Sequence, residues 1–236
     1  MTIITETITL HSGGSKMDAF VARPEAGRTP ALLVMQEAFG VTDHIKDVTK
    51  RFAEQGYLAV APELFHRTAP PGFTAPYGGD FSALAPHMQG VTPEHIAEDV
   101  LAIHEWLLQD NQWNKTRVGA IGFCLGGRVS LVANARLPLQ AAVSFYGGAP
   151  WSLEETVREQ HAPVLFFWGG LDAHQTPELR RGVIDAMTKA GKQFISVLVA
   201  DAGHGFFRDV GTAYNPNAAR QSWALTLSFL ATYLKT

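Results

Sequence analysis

Three residues of this chain have the types and surroundings needed to share a proton and attack a carbonyl. Cys124 is its single cysteine and stands in Gly122-Phe123-Cys124-Leu125-Gly126-Gly127. The apolar run Val118-Gly119-Ala120-Ile121 precedes it, and a helix-like segment from Arg128 to Asn134 follows. A reactive side chain between small residues, where a strand turns into a helix, is the pattern of a nucleophile elbow. Asp172 follows the apolar run Val164 to Trp168 through Gly169-Gly170, and His204 follows Phe194 to Val199 between Gly203 and Gly205. A thiol is only slightly ionised at neutral pH, so a neighbouring imidazole must take its proton. A buried carboxylate holds that imidazole in one tautomer. The set Cys124, Asp172 and His204 therefore predicts acyl transfer through a thiolate, a thioester and its hydrolysis by water. His174, two residues beyond Asp172, is the rival base, but it precedes the last strand instead of following it.

A tetrahedral intermediate also needs donors for its oxyanion, each contributing roughly 3–4 kcal/mol. The amide of Leu125, at the start of a helix, is one. The second is expected after the apolar run Ala31 to Met35, around Glu37-Ala38. Glu37 is an unusual addition there. A carboxylate beside a thiol disfavours the thiolate by like-charge repulsion; it could equally accept the thiol proton or hold the resting thiol in an unreactive pose. Phe39, Tyr146, Trp151 and Phe206 are candidates for an apolar wall, with Tyr146 the best placed because it ends its strand.

These residues need elements to carry them. Residues 3–10 and 17–23 read as an antiparallel hairpin across Gly13-Gly14. Ala31 to Met35 is a short buried strand, and Ile45, Val48 and Phe52 recur at helical spacing before Gly56. Tyr57 to Ala61 is the next strand. The Pro- and Gly-rich segment 62–92 breaks the rhythm and is expected to be a long rim or lid loop over the site. Thr92 then caps a helix opened by Pro93 and running to about Leu108. Strands near 117–122, 140–146, 164–168 and 194–199 alternate with helices near 125–134, 177–190 and 218–234. That alternation predicts one α/β domain over 1–236, with a mostly parallel sheet covered by helices on both faces. Ligands of such sheets gather at the carboxyl ends of strands, where each candidate residue falls.

Composition narrows the alternatives. With 236 residues, 46% hydrophobic and 17% charged, the chain can bury a substantial core. A net charge of -3 with both signs scattered gives no case for nucleic acid or an anionic membrane. No run of 18 apolar residues appears, and Met1 to Glu6 lacks a basic start and an apolar core, so the expected location is cytoplasmic. None of the 9 histidines pairs with another as His-x-x-x-His, so no metal site is expected.

Taken together, Gln36-Glu37-Ala38-Phe39-Gly40, the Cys124 motif, Gly169-Gly170-Leu171-Asp172 and Ala202-Gly203-His204-Gly205-Phe206 resemble the dienelactone hydrolases, or carboxymethylenebutenolidases. The resemblance spans nearly the whole chain. It implies an α/β-hydrolase fold, no cofactor, and cleavage of a small lactone or ester by a monomer or small homo-oligomer. It implies Cys124, Asp172 and His204 as the triad, Ala38 and Leu125 as oxyanion amides, and Glu37 as partner of the resting thiol that helps activate it as substrate binds. Family enzymes acting on dienelactone clamp its carboxylate with two arginines. Arg208 matches one of them. The other belongs after the strand ending near Ala61, where residues 68–92 hold no arginine and Arg67 sits early. This departure, a differently spaced turn after Asp172 and a longer loop before Tyr214 point to a relative with a different ester or lactone. A broad carboxylesterase or thioesterase is the second expectation, and a thiol-based ligand binder or oxidant sensor the third.

Overall fold

The computed structural model describes residues 1–235. Its first strands, β1 (Ile3–Ser12) and β2 (Ser15–Pro24), form the expected hairpin. Gly13 and Gly14 make the tight turn at φ values of 53° and 80°, the left-handed pair that a two-residue hairpin loop requires. Then come β3 (Thr29–Met35), α1 (Asp43–Glu54), β4 (Leu58–Pro62), α2 (Ala85–Gln89) and α3 (Pro93–Gln109). The second half runs β5 (Trp113–Phe123), α4 (Leu125–Arg136), β6 (Ala141–Phe145), α5 (Leu153–Arg158), β7 (Val164–Gly169), α6 (Pro177–Lys189), β8 (Phe194–Val199) and α7 (Pro216–Leu234).

The strands form one sheet in the order β1-β2-β4-β3-β5-β6-β7-β8. The hairpin joins β4 antiparallel, and every pairing from β4 to β8 is parallel. Because side chains alternate across a strand, Leu33, Met35 and Ala120 face one side with Val100 and Ile103 of α3 and Val129 of α4. Leu32, Val34 and Ile121 face the other with Val48 and Phe52 of α1 and Leu230 of α7. Burial on both faces explains why these strands read as unbroken apolar runs.

Two features differ from the sequence expectation. The segment after β4 is not a bare loop: it carries a 3-10 turn at Phe81–Leu84, capped by the Asp80 carboxylate, and then α2. The helix α5 was not anticipated either. Helices of four to six residues are too short to display a 3.6-residue repeat.

Candidate active site

The strands β3, β5, β6, β7 and β8 are successive neighbours, so the residues just past their carboxyl ends are brought side by side. Met35 pairs with Gly122, and Phe123 with Phe145, which sets Glu37-Ala38 beside Cys124-Leu125 and Tyr146 beyond them. Asp172 follows β7, and His204 follows β8.

Cys124 occupies the sharp strand-to-helix corner at φ 55° and ψ -116°. A non-glycine residue in such a conformation stores about 1–3 kcal/mol and persists only where its surroundings enforce it. Here its N–H donates to the Phe145 carbonyl at 3.0 Å, and its own carbonyl accepts from Gly127 N–H at 3.0 Å. The flanking glycines are packing requirements. A Cβ on Gly122 would lie 1.9 Å from the Gly126 carbonyl oxygen, and one on Gly126 would lie 2.3 Å from that of Met35. Leu125 opens α4, so its amide has no acceptor within the helix. Ala38 is fully buried in the turn closed by the Glu37–Gly40 bridge.

His204 Nδ1 lies 2.8 Å from Asp172 Oδ2, and the Asp172 side chain is completely enclosed. The other oxygen, Oδ1, accepts from the backbone N–H of His174 at 2.8 Å and of Gln175 at 3.2 Å. Burial opposes ionisation of Asp172, but these bonds and the His204 charge outweigh it and hold its pKa below the usual value. Burial likewise works against the imidazolium of His204. The bond to Asp172 and the interactions with Cys124 overcome it, raising the pKa to about 10. His174 does not compete for the carboxylate; its ring stands edge-on to that of His204, centroids 5.0 Å apart.

Glu37 is 1% exposed, and neither carboxylate oxygen has a hydrogen bond among the described residues. Burial raises its pKa, against the opposing charges of Arg208, His44 and His204. Arg208 Nη1 lies 3.7 Å from Glu37 Oε1, and its guanidinium stands over Tyr77 at 4.3 Å and Phe39 at 5.7 Å. Tyr77 reaches in from the segment after β4. That segment is tied to the Glu37 turn: Gly40 bridges Thr74, and Ala75 N–H donates to the Phe39 carbonyl at 3.0 Å.

Cys124, His204, Glu37, Arg208 and Phe39 share the wall of one cavity of about 700 Å³. Tyr146 is fully buried, its ring 5.1 Å from that of His204, and it is not among the residues of the cavity wall. Phe206 is also fully buried. Arg67 is not on the wall either; it pairs with Asp99 at 2.8 Å and Glu98 at 2.7 Å, and donates to Ser12 Oγ at 3.1 Å.

Two features escaped the sequence reading. Arg128 lines the cavity, one turn into α4 from Cys124, and that spacing was a usable signal. A second acid–histidine pair joins His44 Nδ1 to Asp209 Oδ1 at 2.8 Å, with Arg51 also bound to Asp209. The two partners are 165 residues apart, so no local pattern announces the pair.

Comparison with known proteins bears on the family and the fold. The model of the dienelactone hydrolase family matches residues 17–234. A Salmonella typhimurium protein provisionally assigned as a carboxymethylenebutenolidase is 33% identical over 237 residues, covering 94% of this chain and 85% of its own. A counterpart from Escherichia coli K12 with the same provisional assignment is 30% identical over 246 residues, covering 98% and 88%. The crystal structure of a provisionally assigned dienelactone hydrolase from Klebsiella pneumoniae superposes with a TM-score of 0.91 at 30% identity, covering 99% of this chain and all of its own. A dienelactone hydrolase-like promiscuous phosphotriesterase from metagenomic libraries shares the fold, with a TM-score of 0.87 at 22% identity and 99% and 100% coverage.

Proposed function

This chain belongs to the dienelactone hydrolase family and is a hydrolase acting on ester bonds; from that premise we propose that it cleaves a small lactone or ester through a Cys124 thioester. The observation that carries this reading is the enclosed Asp172 gripping His204 at 2.8 Å while Cys124 and His204 open into one cavity. His204 takes the thiol proton, and the thiolate attacks the carbonyl carbon. The amides of Leu125 and Ala38 receive the oxyanion. Protonation of the leaving oxygen by His204 gives the thioester, and water activated by His204 then releases the acid.

Glu37 fits a role in activation. Its charge is matched by Arg208 in the resting site. A substrate anion that draws Arg208 away leaves a buried carboxylate with a raised proton affinity on the wall of the same cavity as the thiol, ready to accept a proton. The test is alkylation of Cys124 with iodoacetamide, followed by assays on dienelactone and simple aryl esters. One equivalent should abolish turnover. Full activity after stoichiometric modification overturns the mechanism. The placement of Arg67 away from the cavity favours a second reading, a broad carboxylesterase. Comparable specificity constants on dienelactone and neutral aryl esters would select it.

A further inference from the structure

Arg128, Arg208 and His204 all line the cavity, and two of them have acidic partners. Arg208 faces Glu37 at 3.7 Å and His204 is bound to Asp172 at 2.8 Å. Arg128 has none: among the described residues no carboxylate lies within ion-pair distance of it. Its side chain is nevertheless held in place. Nε donates to the Gly147 carbonyl at 3.0 Å, and the guanidinium stands 5.9 Å over the Trp151 ring. This leaves both Nη groups, the paired donors of the fork, without a protein acceptor among the described residues.

Topology sets where this charge acts. The anchors of Arg128, Gly147 and Trp151, follow β6, whereas the partner of Arg208, Glu37, follows β3. The strands β3 and β6 flank β5, which delivers Cys124. The cavity is thus bordered by a neutralised arginine on one side of the nucleophile and an unneutralised one on the other. Gln175 lines the same cavity, and its buried Oε1 accepts no hydrogen bond among the described residues.

From this arrangement we infer that Arg128 determines specificity by binding a carboxylate carried on the substrate, so that the preferred substrate is an anionic ester such as the half-ester of a dicarboxylic acid. The inference rests on the ester-hydrolase reading above and adds the charge of the substrate and the side of the nucleophile on which that charge is held. A guanidinium already fixed by a carbonyl and a ring loses little freedom on binding. It offers a carboxylate two parallel charge-assisted hydrogen bonds.

The test compares 4-nitrophenyl hexanoate with mono-4-nitrophenyl adipate, two six-carbon acyl groups that differ by a terminal carboxylate. Arg128→Met keeps a stem against Trp151 and removes the charge. The ratio of kcat/KM for the adipate to that for the hexanoate should fall roughly 10- to 100-fold, through KM. An unchanged ratio overturns the inference. Calorimetric titration with adipate dianion reads the same site without turnover: wild type should bind it, and Arg128→Met should lose at least about tenfold in affinity. Equal binding by both proteins also overturns it. Cys124→Ala separates the two levels of the argument. Ester turnover surviving in that variant refutes the thioester reading, while the adipate titration still decides the anion site.

Discussion

At the residue scale, the site depends on groups held in costly states. Glu37 is a buried carboxylate whose oxygens have no well-formed hydrogen bond among the described residues, its charge offset by Arg208 at 3.7 Å and by His44, His204 and Tyr77. Because burial raises its pKa, its ionised form is penalised in the folded protein. That penalty is absent well below the unfolded value near 4.5 and grows as the pH rises past it. Glu37→Gln should therefore melt higher than wild type at pH 7–8, by about 2–4 °C for each kcal/mol recovered, while turnover falls. The difference should vanish towards pH 4, and thermal melts across that range check it. His204 behaves in the opposite sense. Its pKa of about 10 keeps the imidazolium available as the leaving-group acid over the neutral range, so kcat/KM should decline only as the pH approaches 10. Asp172→Asn removes a group that raises that pKa. It should move the alkaline limb to lower pH and reduce kcat by roughly 10³–10⁴-fold, as a pH–rate profile from 6 to 11 would record.

The proposed triad stands out in the sequence because each member follows a strand-like run and has glycines close by, on both sides of Cys124 and His204 and ahead of Asp172. Tyr146 follows the end of β6, as a wall residue would, yet it is fully buried, with a positive φ of 39° and its ring 5.1 Å from that of His204. For Arg128 the sequence offers only its place one turn beyond Cys124. Nothing in its neighbours reveals that Gly147, nineteen residues on, fixes its Nε.

At the scale of elements, the corner between β5 and α4 exchanges backbone comfort for exposure of one sulfur. Glycine adopts φ 55° and ψ -116° without the penalty a Cβ imposes. Cys124→Gly should thus be more stable than Cys124→Ala by about 1 kcal/mol, with both expected to be inactive under the proposed mechanism; denaturant titration of the pair measures the stored strain. The alternation of strand and helix was readable in this region because the central strands are buried on both faces and helices such as α1 carry a clear apolar stripe. The 3-10 turn, α2 and α5 were not readable, since their sequence window is shorter than two helical turns and their existence depends on what they pack against.

Across the whole molecule, a buried polar network joins the hairpin to the helical layer far from the nucleophile. Ser12 and Arg67 both bond to Asp99, which is 2% exposed, and His66 Nε2 lies 3.0 Å from the same oxygen. Arg67→Ala leaves that carboxylate short of its strongest partner and should cost roughly 3–5 kcal/mol of stability, read by urea unfolding. With no part in the cavity, it should leave kcat/KM within twofold at temperatures where the protein stays folded. No local pattern marks this network, because its members come from β1, the segment after β4, and α3.

The seam between Gly40 and Thr74 has a kinetic corollary. An outer segment rich in proline and glycine is stitched by a backbone bridge to a turn that lies two residues from the Ala38 amide. Fraying at the periphery is therefore passed to the amide we propose as an oxyanion donor. Warming should silence the enzyme before it unfolds it, with esterase turnover disappearing several degrees below the temperature at which circular dichroism records collapse of the sheet.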